Sequence, residues 1–243
     1  MAHDQRAIMA ANNNADLYQA VFEAWGLRYR RRPFAFVSMD KPPPYYSHLT
    51  VLAPNCTGRV ISHLRTAVDC FDGAVSFKDS FCEFELQAEG FDVLFEAAWL
   101  WRAAEAAPCP KGWSKVEDPL ELAEWEAAWK GAGSPTPARI FRDAMLRSPD
   151  ILFLAKKEVA RFVSGCIANM SSDCVGISNL FSISGEEGAF EEAAAAVASV
   201  NPALPIVGYG AGARLDAAGR AGFHTTGRLR ILAAQRAHFR LPT

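Results

Sequence analysis

The chain has 243 residues, 50% of them hydrophobic and 21% charged, with a formal net charge of −2. This length can bury a sizeable core as one large domain or two small ones, and the near-neutral balance gives no footing for a nucleic-acid or membrane-surface binder. Apolar runs are short and broken by charge, well under the roughly 20 residues of a membrane span, and the opening "MAHDQRAIMAANNNAD" lacks the apolar core of a secretory signal, so a cytoplasmic protein is expected. Cys56, Cys70, Cys82, Cys109, Cys166 and Cys174 show no C-x-x-C pairing. They read as buried, reduced thiols, with Cys166 and Cys174 facing each other across a hairpin as the alternative.

In chain order, "NADLYQAVFEAWGL" places Leu17, Val21, Phe22 and Trp25 at helical spacing, with Asn14 or Asp16 as cap and Gly26 as stop. After "RYRRRP" come a strand-like "FAFVSMD", the breaker "KPPP" and a β-branched, aromatic strand "YYSHLTVLAP". A helix is expected from Thr57 to Cys70, then a strand in "GAVSFKD", a short helix in "FCEFELQAEGF" and a strand in "DVLFEAAWLWR". Alanine, proline and glycine between Ala103 and Gly112 suit a linker, which divides the chain into units 1–105 and 111–243.

The second unit starts with a strand, "WSKVED". A helix follows, "PLELAEWEAAWKG", with Pro119 in its first turn and Leu122, Trp125 and Trp129 on one face. "ARIFRDAMLRSPD" reads as another helix. "ILFLAKKE", "RFVSGCIANM" and "CVGISNLFSI" form the clearest β signal, with an antiparallel hairpin tip at Ser171 to Asp173. An alanine-rich helix "AFEEAAAAVASV", a buried strand "LPIVGYG", a helix "ARLDAAGRAGF" and a strand "HTTGRLRIL" complete the order.

Two stretches share one plan. From Ser47 to Phe91, and again from Ser178 to Phe223, the order reads strand, helix, strand, helix, Gly-Phe corner, strand over nearly equal lengths. Equal spacing of like elements is the mark of an internal duplication, although two independent αβ units would give the same order.

From Lys111 to about Leu232 the order of elements, together with the "AGF" that closes the last helix, resembles the GNAT superfamily of N-acetyltransferases. Tyr46 to Arg102 looks like a shortened copy of its later part. The whole therefore resembles a tandem GNAT-like protein whose first unit has lost its hairpin. The resemblance implies an α/β acyl-CoA N-acyltransferase fold with a mixed sheet, in which acetyl-CoA lies between splayed fourth and fifth strands. Its pyrophosphate would rest on N–H groups at the following helix start, where the dipole favours an anion. That place is "SGEEGAF". Set against the family pattern Gln/Arg-x-x-Gly-x-Gly/Ala, Gly188 takes the first glycine, Gly185 stands where Gln or Arg belongs, and Phe190 where the last small residue belongs. The cofactor contacts implied are Leu180, Phe181, Ser182, Gly185, Glu186, Glu187, Gly188 and Ala189. No basic side chain is expected at the loop, and its two carboxylates are also ordinary helix-start residues.

The family's general-acid tyrosine falls on Ala218 and its asparagine on Ala211. Tyr209, at a strand end, is the nearest substitute, and a rim tyrosine is the plainer reading. A bulge near Asn179 to Phe181 would aim an N–H at the thioester carbonyl, with Ser178 and Asn179 as polar residues in an apolar strand. Asp173, Glu186, Glu187 and His224 are candidate bases by proximity along the chain. "GYGAG" reads as a turn rather than a dinucleotide loop. The arginines 214, 220, 228, 230, 236 and 240 either meet CoA phosphates or an acidic partner, or form a solvated basic face. The resulting expectation is acyl transfer to a small-molecule amine, in a monomer or homodimer, against a degenerate, non-catalytic module that binds a ligand or partner.

Overall fold

The computed structural model describes residues 3–86, 90–159, 161–185 and 188–235. The first helix, α1 (Gln5–Trp25), begins well before the expected cap. Asp4 caps it by accepting the Arg6 N–H at 2.9 Å, and Ala7, Ala10 and Ala11 are buried, which lets this added length lie close on the sheet. β1 (Tyr29–Arg32) and β2 (Ala35–Ser38) follow, then β3 (Leu49–Val51), α2 (Thr57–Cys70), β4 (Ala74–Asp79) and β5 (Phe91–Arg102). "RYRRRP" therefore supplies a strand, and the first unit keeps a short β1–β2 hairpin where none was expected. After the linker come β6 (Trp113–Lys115), α3 (Pro119–Gly131), β7 (Ile151–Glu158), β8 (Arg161–Met170), β9 (Val175–Ser182), α4 (Ala189–Val200), β10 (Ile206–Gly210), α5 (Ala213–Arg220) and β11 (His224–Gln235).

Two expected helices do not form among the described residues. Among the described residues of "FCEFELQAEGF", none is helical. The buried Asp79 carboxylate instead accepts the N–H groups of Glu83 at 3.1 Å and Phe84 at 3.0 Å, and the Trp99 indole binds the Ser80 carbonyl at 2.7 Å. Side chains thus take the bonds a helix would have used. "ARIFRDAMLRSPD" is helical only as a 3-10 turn, Asp143–Arg147. Upstream of it, the buried Glu126 carboxylate accepts the Ile140 and Phe141 N–H groups at 2.7 and 3.1 Å. Ile140 and Phe141 are thereby fixed in the core outside any helix.

All eleven strands join one sheet in the order β1-β2-β3-β4-β11-β5-β10-β9-β8-β7-β6. Read outward from the central β11–β5 pair, both sides run alike: an antiparallel neighbour, a parallel pair (β4–β3 or β10–β9), then antiparallel strands. The last strand of each half crosses over: β5 lies against β10, and β11 against β4. The two Gly-Phe corners also share local geometry. Gly90 and Gly222 have φ of 85° and 81°, and the following Phe N–H reaches back to Leu86 at 3.0 Å and to Ala218 at 2.9 Å. At Gly222 this closes α5; at Gly90 the same bond forms although none of residues 81–86 is helical.

Alternating residues of β7 to β9 separate two cores. Phe153, Ile167 and Phe181 face α1 and α3 with Trp125 between them, whereas Leu154, Cys166 and Leu180 face α4 and α5. Cys56, Cys166 and Cys174 are buried free thiols, but Cys70 and Cys109 are exposed, which corrects the expectation of six buried ones; Cys166 and Cys174 lie in different clusters and do not face each other. Among the described residues, no helix is long and apolar enough to cross a membrane.

Candidate active site

β9 and β10 are parallel neighbours for only two residue pairs, Val175 with Ile206 and Gly176 with Val207. Past that point Tyr209 and Gly210 pair with Trp99 and Ala98 of β5, and β9 leaves its register. Its partners on β8 jump from Ile167 opposite Ser178 to Gly165 opposite Phe181, so Asn179 and Leu180 share the place opposite Cys166. Asn179 carries φ of 51°, in the left-handed region that asparagine tolerates better than other side-chain-bearing residues. The result is a bulge beside a V-shaped opening. Arg214, in the first turn of α5, spans this opening and donates to the Leu180 carbonyl at 2.9 Å.

The bulge borders a cavity of 180 Å³ on the α1–α3 face. Ser178, Asn179 and Tyr209 form its floor; Tyr18, Tyr46 and Trp129 form aromatic walls; Arg214 stands at its side. Among the described residues, no Asp, Glu or His lines it. Beneath it, Lys78 is 1% exposed. Its ammonium donates to Asn14 Oδ1 at 2.6 Å and lies 4.8 Å from the ring centroids of both Tyr18 and Tyr209. Burial pushes the Lys78 ammonium down, but the phenols, Tyr18 ahead of Tyr209, pull it up and prevail. For Tyr18 the largest effect is likewise burial, which raises the phenol; the Lys78 charge opposes it and the net direction is down.

The helix start behind the bulge lies in a second hollow, on the α4 side. Gly188 (φ 70°) precedes α4 and has no side chain to cap it, and among the described residues no side chain bonds the first N–H groups of that helix. Ser182, Ser184, Gly188 and Ala189 line a 100 Å³ hollow together with Lys156, which β7 brings in from far along the chain. Lys156 pairs with Glu192 at 3.0 Å, and Glu192 also accepts the Trp113 indole N–H at 3.0 Å. That indole bond, followed by Lys156, holds the Glu192 carboxyl below its usual range. The expectation of no basic group at the loop is thus corrected: one is present, already engaged.

Asn179, Tyr209 and Ser178 line the same cavity. Leu180 and Phe181 are 5% and 2% exposed with side chains in the two cores, and their carbonyls already accept from Arg214 and from the Ser164 hydroxyl. Gly185 lies in the exposed turn with φ of 104°. Glu186 and Glu187 fall outside the described residues. Asp173 sits exposed at the β8–β9 tip and His224 exposed at the start of β11, and neither lines the cavity. The expected basic face is dispersed: Arg220 pairs with Glu191, Arg228 with Glu96, and Arg230 is buried with Asp79. Arg236 and Arg240 lie outside the described residues. Tyr18, Lys78 and Lys156 were not legible as site residues, because only the exchanged sheet and the β7–β8 hairpin bring them there.

No protein-family model matches the sequence, and no curated protein matches it. Solved structures do. A GCN5-related N-acetyltransferase from Kribbella flavida aligns over 93% of this chain and 95% of its own, with a TM-score of 0.65 at 12% identity. A GCN5-related N-acetyltransferase from Sphaerobacter thermophilus aligns over 94% and 90%, with a TM-score of 0.55 at 13% identity. The N-myristoyltransferase of Saccharomyces cerevisiae, solved with bound myristoyl-CoA, aligns over 86% and 67%, with a TM-score of 0.52 at 8% identity. Such identities establish a shared fold.

Proposed function

We propose that this chain, which has the GNAT acyl-CoA N-acyltransferase fold, transfers an acyl group from acyl-CoA, acetyl-CoA first among candidates, to the amine of a small molecule. The observation that carries the reading is the bulge at Asn179–Leu180, placed where the β9–β10 pairing ends and where the cavity begins. In this arrangement the pantetheine arm enters between the two strands. The pyrophosphate lies against the uncapped start of α4, whose N–H groups and dipole attract an anion. Backbone N–H groups at the bulge then face the thioester carbonyl, where preorganised donors favour the negative charge that develops on oxygen. A cavity of 180 Å³ suits a small acceptor.

A binding module without catalysis is the second reading. It is favoured by Arg214, which bridges the opening to Leu180, and by the buried Ala218 where the family places its tyrosine. We propose further that the two halves are copies of one unit; the mirrored strand order and the matching corners support this. Calorimetric titration with acetyl-CoA, paired with thiol release in the presence of small primary amines, tests the function. Binding with turnover supports transfer, binding alone supports the second reading, and no binding at millimolar acetyl-CoA rejects both in favour of a shared fold only.

A further inference from the structure

We propose that Tyr18 and Lys78 form a phenolate–ammonium pair, and that Tyr18 is the proton acceptor of the cavity. The inference rests on the acyl-transfer reading of the same site. An amine reaches that site mostly as an ammonium and must lose a proton before it attacks. Among the described residues the cavity offers no carboxylate or imidazole to take it. Tyr18 lines the cavity, is 3% exposed, and its phenol oxygen accepts the Ser47 N–H at 3.4 Å. Lys78 adjoins it with no carboxylate partner among the described residues, although a buried ammonium without a counter-charge is costly. A phenolate supplies that counter-charge.

The groups facing Tyr18 are few. Lys78 approaches from β4, Tyr46 from the β2–β3 connection, and Tyr209 from β10 across Lys78; Asn14 on α1 holds the ammonium. Burial takes Tyr46 well above its usual value, so it does not compete for the charge. The lowered phenol of Tyr18 agrees with this placement. In the reaction, the acceptor ammonium gives one proton to the Tyr18 phenolate. The freed lone pair forms the C–N bond at the thioester carbonyl, the C–S bond breaks, and the departing thiolate takes the surplus proton from the new amide nitrogen. Tyr18 then returns its proton to solvent.

Two measurements on the full chain test the proposal. The first follows tyrosinate absorbance against pH in wild type, Tyr18→Phe, Lys78→Met and Lys78→Gln, with circular dichroism confirming that each folds. One of the five tyrosines is expected to ionise ahead of the others. Tyr18→Phe should abolish that step, and the Lys78 variants should raise it by more than about one pH unit, or tenfold in the ionisation constant. Five tyrosines titrating together, or a step unmoved by loss of Lys78, would overturn the pair. The second measurement is thiol release from acetyl-CoA with glycine, ethanolamine and putrescine. Tyr18→Phe should lose about 100-fold in kcat, and Lys78→Gln should move the acid limb of the pH–rate profile upward. Undiminished kcat in Tyr18→Phe would overturn the assignment of Tyr18 as proton acceptor. A wild type that turns over none of these amines, yet shows the early tyrosine step, would reject the acyl-transfer reading while leaving the ion pair standing.

Discussion

Gly208 of β10 lies against Ile177 of β9 so closely that a Cβ built on it would stand 2.7 Å from the Ile177 carbonyl oxygen. This contact is the apex of the opening, one residue beyond the last paired residues, Val207 and Gly176. Gly208→Ala should force the strands apart there at a cost of about 1–3 kcal/mol. Urea denaturation checks the stability loss, and acetyl-CoA titration checks whether the opening still accepts its ligand. An unchanged midpoint would mean that the apex yields easily.

Gly188 separates binding from stability. Its φ is 70°, yet among the described residues beyond its chain neighbours none places an atom within 4 Å of the position a Cβ would occupy. Gly188→Val should therefore cost only about 1–2 kcal/mol of backbone strain, while the added side chain crowds the uncapped start of α4. Acetyl-CoA affinity should fall by about tenfold or more, that is by about 1.4 kcal/mol. Gly188→Asn, better suited to this φ, should fold more stably than the valine variant. Equal affinity in wild type and Gly188→Val would place the pyrophosphate elsewhere.

His48 makes stability depend on pH. Burial, followed by the charge of Lys41, lowers its pKa to about 4, and its Nδ1 accepts the Ser76 N–H at 3.1 Å. A proton on Nδ1 would cost that bond. Because the folded value lies below the unfolded one of about 6.5, the unfolded chain binds more protons between the two. Stability from this group is whole above about pH 6.5 and falls as the pH drops toward 4. Between pH 7 and pH 5 the loss should be about 2 kcal/mol. His48→Asn, which keeps an acceptor without the titration, should flatten that part of the curve in chemical denaturation; an unaltered slope would exclude His48 as its source.

Glu126 holds the wall of the cavity in place. Its buried carboxylate accepts two backbone N–H groups, from Ile140 and Phe141, and pairs with Lys130 at 2.7 Å. Glu126→Leu strands both donors and should cost about 3–5 kcal/mol, whereas Glu126→Gln, with one acceptor oxygen left, should cost about 1–2 kcal/mol. Thermal unfolding ranks the variants. Faster amide exchange at Ile140 and Phe141 should accompany the losses, and the reverse ranking would show that the carboxylate is not what fixes this segment.

The sequence makes the local elements legible wherever pattern and cap agree. Asp118 accepts the Leu120 and Glu121 N–H groups at 2.9 Å, and α3 begins where Pro119 had indicated. The β7–β9 meander and α4 likewise lie where their periods place them. Misreadings fall where a buried carboxylate takes over backbone bonds. Asp79 does this at Glu83 and Phe84 and Glu126 at Ile140 and Phe141, and the apolar pattern of the sequence does not mark which carboxylates turn inward. The site divides in the same way. Ser178 and Asn179 stand out as polar residues in an apolar strand and Tyr209 as a strand-end tyrosine, but Lys78 reads as one more surface lysine until the fold sets two tyrosine rings around it.

The crossing of β5 and β11 has a consequence for how much of this chain can stand alone. A fragment ending in the linker would keep β5 but lack both strands that flank it, and the remaining fragment would keep β11 without β4 on one side or β5 on the other. Each would present a long unpaired strand, a template for whatever edge it meets. What the covalent linker supplies is therefore local concentration: it makes intramolecular the pairing of β5 with β10 and β11 that separate fragments would have to find by diffusion.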